Sequence, residues 1–218
     1  MLDGLFKERQ DRFWDRVARP LAGTGLTPNH VTVASVALVA FFSAGYTIHK
    51  SSLAYGLSLG CAELLDNVDG ALARVTKRAS KFGSYLDATT DRYKELFAFA
   101  AVGHVTGEWA ICLFAVAGSM LTSYNKARAG MEIPISNTRW PDLFERFERI
   151  LVLVLALVLD TLLSPTVLFG KRALFGGLVV IAVMSLLSSV QRLFRARELM
   201  SAPSLSGGGT LSDPPRSS

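Results

Sequence analysis

Four stretches without a charge, Val31 to Ile48, Trp109 to Tyr124, Ile150 to Leu159 and Leu174 to Val190, limit what this chain can fold into. A helix needs roughly 20 mostly apolar residues to cross a bilayer, so several of these runs must borrow polar flanks. Leu53 to Leu72 and Tyr85 to Val105 have the same character apart from the acidic residues inside them. With 50% hydrophobic and 19% charged side chains in 218 residues, the chain is too apolar for an ordinary soluble domain. The expectation is an all-α integral membrane domain of about six transmembrane helices.

Lys and Arg outnumber Asp and Glu by 23 to 18, and the excess gathers in Lys7 to Arg19, Arg74 to Lys81, Lys126 to Arg149 and Arg192 to Arg197. The positive-inside rule makes these segments cytoplasmic, with both termini inside; Lys171 and Arg172, in a predicted outer loop, are the exception. The expected location is the cell membrane, as a multi-pass protein.

Residues 1–24 read as a juxtamembrane segment, 25–200 as the membrane domain and 201–218 as a Ser, Gly and Pro rich disordered tail. Leu5, Phe6, Phe13, Trp14 and Val17 recur with helical period among Lys7, Arg9, Arg12, Arg16 and Arg19, which predicts an amphipathic helix on the cytoplasmic membrane surface. Pro20, Gly23, Gly25 and Pro28 are expected to break it, with Thr27 capping the first span. Residues 1 to 20 lack the apolar core of a cleavable signal peptide. Cys61 and Cys112 lie in predicted spans and read as packing residues. The Gly run at 207–209 reads as flexible linker.

The chemistry lies between residues 66 and 91. Asp66 and Asp69 are three apart and Asp87 and Asp91 four apart, so on helices each pair shares a face. A carboxylate at the middle of a span costs roughly 2.5–3.5 kcal/mol on insertion scales, so four together require compensating cations. Arg74, Arg92 and Lys94 are candidates for ion pairs, but with Glu63 and Glu95 nearby the cluster stays net negative. Two divalent cations, magnesium or manganese, would balance it through hard oxygen ligands. Gly70, Ala73 and Gly83 would clear one face for a nucleotide or diphosphate, with Arg74 opposing phosphate charge.

DNVDGALAR at 66–74, followed by Gly83, Asp87 and Asp91, resembles the signature of the CDP-alcohol phosphotransferase family at all eight fixed positions. At roughly one in twenty per position, chance agreement is negligible. The resemblance extends to the amphipathic start, TPNHVT at 27–32 and the six-span layout. It implies that Asp66, Asp69 and Asp87 bind one metal and Asp66, Asp87 and Asp91 the other, with Asp91 also the general base. It further implies that Asp69, Gly70, Ala73, Arg74, Ser80 and Gly83 lie along a CDP-activated lipid. The product would be a phospholipid, released with CMP.

SYNKARA at 123–129, ERFER at 145–149 and VQR at 190–192 place cations at cytoplasmic span ends, where snorkelling to lipid headgroups is the plain alternative. Together they resemble the branch that makes phosphatidylinositol phosphate or archaetidylinositol phosphate. That resemblance implies that Lys126, Arg149 and Arg192 bind the phosphate of the acceptor, inositol phosphate, with glycerol 3-phosphate the nearest rival. The chain departs from the branch in its longer stretch between Lys126 and ERFER, and at Glu63, where an apolar residue is more usual. A non-enzymatic ion transporter would spread its acids through the membrane depth and show inverted repeats; neither is evident. No nucleic-acid partner is expected. A homodimer is expected from the resemblance; Ala115, Gly118 and Ser119 could line its helix contact or equally pack within one subunit.

Overall fold

A computed structural model describes residues 3–133, 143–163 and 172–201, with side chains from residue 11 onward. These residues form seven α-helices: α1 (Asp3–Ala22), α2 (Pro28–His49), α3 (Ser52–Val75), α4 (Lys81–Thr106), α5 (Trp109–Glu132), α6 (Arg146–Leu162) and α7 (Ala173–Ser201). Of the predicted tail, Ser201 is the last residue of α7 and 202–218 lie outside the described residues, as do Lys171 and most of the stretch before ERFER.

Local chemistry sets the helix ends. Thr27 caps α2 as expected: its hydroxyl accepts from the His30 amide at 3.3 Å, the His30 Nδ1 accepts from the Thr27 amide at 3.4 Å, and Pro28 sits in the first turn. Gly107, at φ 77°, closes α4 in the left-handed conformation that glycine adopts without penalty. Pro20 does not end α1. The helix continues to Ala22, because a proline in the last turn forfeits a single backbone bond, and the break begins at Gly23.

Buried residues include Thr32, Ser35, Ser43, Ser119, Thr122, Ser185, Ser188 and Ser189, while Phe41 is 71% exposed, Ile48 75% and Leu113 67%. The interior has an apolar core around Leu59, Phe99, Leu157 and Ile181 but also seats these hydroxyls, and large apolar side chains stand on the outside, which suits lipid as the surrounding medium. By length and composition alone, α2 and α7 qualify as membrane spans. The helices α3 and α4 are long enough but carry the acids, and the 17 residues of α6 fall short of a full span.

The main packing pairs are α2 with α3 and α4, α3 with α6, α5 with α7, α6 with α7, and α1 with α3. Among the described residues α3 and α4 do not pack backbone to backbone; both lean on α2 and leave a cleft between them. Trp14 and Ala18 of α1 pack with Val68, Ala71 and Leu72 of α3, while Phe13 and Val17 stay exposed. Cys112 is buried but Cys61 is exposed, so the expectation that both are interior packing residues holds for Cys112 alone.

Ala115 and Ser119 are fully buried, and a Cβ at Gly118 would lie 2.8 Å from Ser185 Cβ. These small residues seat α5 on α7 within one chain, so they do not offer a face to a second copy. Gly118→Ala should therefore lower the midpoint of thermal unfolding in detergent, by an overpacking cost of about 1–3 kcal/mol. Gly45→Ala, whose Cβ would meet nothing within 4 Å, should leave it equal or higher.

Candidate active site

Functional residues gather at one end of the bundle, where α2, α4 and α6 begin and α3, α5 and α7 finish. In the cleft between α3 and α4, Thr32 Oγ1 donates to Asp69 Oδ2 at 2.6 Å and Ser35 Oγ donates to Asp66 Oδ1 at 2.9 Å. Thr32 and Ser35 are three apart, so the first turns of α2 present both hydroxyls to α3. Asp69 is buried; Asp87, on the first turns of α4, is exposed and interacts electrostatically with Asp66, Asp69 and Asp91. The structure thus brings together all four predicted aspartates.

Two cations sit among them. The buried Lys94 ammonium bonds Asp66 Oδ1 and lies 3.9 Å from Asp91 Oδ1. Arg146, the first residue of α6, places Nη1 3.0 Å from Asp66 Oδ2, and Nη2 2.5 Å from Glu63 Oε2 and 3.2 Å from Asp91 Oδ1. Lys94 fulfils its expected role, whereas the sequence reading passed over Arg146 in favour of Arg149. The signal was present: ERFER puts a second arginine one turn earlier, and Glu63 is an otherwise unexplained acid in an apolar helix.

Glu63, Asp66, Asp69, Asp87 and Asp91 outnumber Lys94 and Arg146, so the cleft remains negative. Glu63 Oε1, Asp66 Oδ2 and Asp91 Oδ1 are buried without an aligned hydrogen-bond donor. Asp66 Oδ2 and Asp91 Oδ1 are ion-paired with Arg146 at 3.0 and 3.2 Å, yet hard carboxylate oxygens in a cluster that stays net negative fit a divalent cation of the magnesium or manganese kind. As the side chains stand, no group of three acids among the described residues is drawn together tightly enough to hold a metal, and Arg146 bridges Asp66 and Asp91 instead.

The other predicted residues divide. Arg74 turns to α1, with Nη2 2.9 Å from Asp15 Oδ1 and 3.1 Å from Asp11 Oδ1. Ser80 is the N-cap of α4, accepting from the Gly83 amide at 3.0 Å. A Cβ at Gly83 would come 3.2 Å from that hydroxyl and 3.3 Å from Asn29 Oδ1, so this glycine makes room for the cap and for α2. Gly70 lies beside Arg74, where a Cβ would make ordinary contact at 3.7 Å, and Ala73 is partly exposed on the same helix.

Next to the cleft lies an open cavity of about 630 Å³ lined by Lys126, Arg149 and Arg192, the three residues expected to bind a phosphate, and also by Arg92, Arg146 and Glu145. The α5–α7 contact positions two of them. Asn125 Nδ2 donates to Ser189 O at 3.1 Å, Thr122 Oγ1 to Ser185 O at 3.2 Å, and Arg192 Nη1 to Thr122 O. Arg149 is held by Glu95 Oε1 at 3.0 Å and Phe144 O at 3.2 Å. Arg92 forms its expected ion pair, but with Glu95 at 2.9 Å, so its direct partner is not one of the four aspartates.

Residues 25–193 match the profile of the CDP-alcohol phosphatidyltransferases, and the chain belongs to that family of enzymes, transferases of phospholipid biosynthesis. An archaetidylinositol phosphate synthase of Pyrococcus horikoshii is 32% identical over 187 residues, covering 84% of this chain and 90% of the relative. A crystal structure of the Mycobacterium tuberculosis phosphatidylinositol phosphate synthase with CDP-DAG bound superposes with a TM-score of 0.72 at 26% identity, covering 85% of this chain and 94% of that one. The same enzyme in complex with manganese and citrate gives a TM-score of 0.74 at 25% identity, over 84% and 88% of the two chains.

Removing one partner of a buried ion pair costs about 3–5 kcal/mol. Lys94→Met, which takes from Asp66 one of its two cations and leaves Arg146, should accordingly lose thermal stability in metal-free buffer and regain more of it than wild type when manganese is added. Equal stability of the two proteins without metal would show that Lys94 is not the counter-ion.

Proposed function

We propose that this protein is a six-span enzyme of the cell membrane that transfers a phosphatidyl-type or archaetidyl-type group from a CDP-activated lipid to inositol phosphate, releasing CMP at the cytoplasmic face. One observation carries the reading: an acidic cleft and a cationic cavity share a wall, and Arg146 belongs to both. A donor diphosphate needs the first compartment, a phosphorylated alcohol needs the second, and the reacting atoms would meet at their boundary. The inositol-phosphate products named for the relatives support this acceptor. Cations at the site end of the bundle, including Arg74, Lys77, Arg78 and Lys81, support a cytoplasmic orientation. At the opposite end Arg172 neutralises the buried Asp160 at 3.0 Å, which gives it a reason to sit on the outer side.

Asp66, Asp69, Asp87 and Asp91 would hold two magnesium or manganese ions, which when bound supply charge neutralisation at the diphosphate and the departing CMP. The chain's own groups do the rest. Asp91, on the wall nearest the cationic cavity through its pair with Arg146, takes the proton of the acceptor hydroxyl as the hydroxyl oxygen bonds to the lipid-linked phosphorus and the bond to CMP breaks. Gly70, Ala73, Gly83 and the α4 cap at Ser80 form the wall along the CDP moiety, and Asp11 and Asp15 orient Arg74 beside it. Lys126, Arg149 and Arg192 hold the acceptor's phosphate.

CMP release from CDP-diacylglycerol, with inositol phosphate, glycerol 3-phosphate or inositol offered in turn, tests the reading. Divalent-metal-dependent release is expected with inositol phosphate; faster release with glycerol 3-phosphate would reassign the acceptor, and no release with any alcohol would overturn the reaction. Asp66→Asn and Asp91→Asn should each lower turnover by on the order of a hundredfold or more. Arg149→Ala should raise KM for the phosphorylated acceptor and leave donor KM nearly unaltered.

A further inference from the structure

We propose that Arg92 is an additional ligand of the acceptor's phosphate, and that the buried Glu95 is a positioning residue holding Arg92 and Arg149 as one two-pronged clamp. The proposal rests on the reading that a phosphorylated alcohol occupies the cavity.

Glu95 is fully buried and lies one turn after Asp91 on α4. Each of its oxygens takes a different guanidinium: Oε1 accepts from Arg149 Nε at 3.0 Å, and Oε2 lies 2.9 Å from Arg92 Nη1. Ser119 of α5 completes the arrangement, donating to Oε2 while its own oxygen accepts from Arg92 Nη1 at 2.6 Å. Two arginines carried on α4 and α6 are thereby fixed side by side, although their like charges would otherwise drive them apart.

Both arginines line the cavity, and one carboxylate cannot neutralise two guanidiniums. The clamp keeps one positive charge in excess, and the Arg92 Nε is buried with no hydrogen-bond partner. A surplus of positive charge on two guanidiniums that line the cavity is complementary to an anion with several acceptor oxygens, which a phosphate monoester provides. Fixing the guanidiniums beforehand also lowers the ordering cost on binding. Because Arg92 adjoins Asp91 in the chain, one helical turn carries the proposed proton acceptor and a phosphate ligand together.

Purified full-length protein in detergent, with CDP-diacylglycerol and inositol phosphate, provides the test. A hydrogen bond to a charged group is worth about 1.5–3 kcal/mol, so Arg92→Gln should raise acceptor KM about ten- to a hundredfold while donor KM moves less than about twofold. Arg92→Lys, which keeps the charge but loses the planar fork, should fall between. Glu95→Gln should raise acceptor KM in the same sense, with partial recovery in Glu95→Asp. Calorimetric binding of inositol phosphate in EDTA should weaken in step, a readout independent of turnover. An Arg92→Gln enzyme with wild-type acceptor KM, or with donor and acceptor KM raised equally, would overturn the clamp while leaving the acceptor reading intact. If wild type used inositol as well as inositol phosphate, the acceptor reading would fall and the clamp with it. Should Glu95→Gln not fold, the Arg92 pair of variants decides alone.

Discussion

Five carboxylates in an apolar bundle, faced by two cations, are the constraint around which the structure is arranged. Such a cluster cannot be packed like hydrocarbon, because each unpaired charge withdrawn from water carries a penalty that only opposite charge or firm hydrogen bonding offsets. The α3 and α4 backbones accordingly stand apart, and α2 supplies hydroxyls from Thr32 and Ser35. The start of α6 is drawn in so that Arg146 reaches Glu63, Asp66 and Asp91 together. The position of α6 is thus set by electrostatics at its charged end and by close contacts of Gly56 with Leu157 and Val154 further along.

The same logic divides the site into fields of opposite sign. Glu95 belongs to the cationic side, where it keeps Arg92 and Arg149 adjacent, and Arg146 sits on the boundary, paired with Asp66 and Asp91 and lining the cavity as well. A divalent cation entering the cleft would compete with Arg146 for Asp66 and Asp91, since both need the same oxygens. A guanidinium released from those oxygens already lines the neighbouring cavity, so its charge would strengthen the positive field there.

What was legible in the sequence follows from how local each feature is. The helices, the Thr27 cap and the pairing of Asp66 with Asp69 and Asp87 with Asp91 depend on period and spacing within one segment, and the structure reproduces them. Lys126, Arg149 and Arg192 come from three helices, yet each was marked by a charge at a span end, and all three meet in one cavity. Partner choice was not legible. Arg74 was expected to face phosphate and is held by Asp11 and Asp15, because the docking of α1 on α3 that brings those acids near is a tertiary event. Ser80 caps α4, a local signal of the same kind as Thr27, whereas Ala115, Gly118 and Ser119 pack on α7 and Glu95 pairs across helices with Arg149, choices that no spacing rule encodes.

Glu63 shows why a departure from a family pattern can be structural. Its carboxylate lies outside the aspartate set, yet it makes the closest contact to Arg146, 2.5 Å from Nη2. With Asp66 and Asp91 alone as partners, Arg146 would lose all its compensation whenever those two carboxylates turned to another cation, and a buried, unpaired guanidinium is costly. Glu63 retains a claim on Arg146 that does not depend on them. An acid in an apolar stretch of α3 is therefore the counterpart of an arginine at the start of α6, and neither position is intelligible without the other.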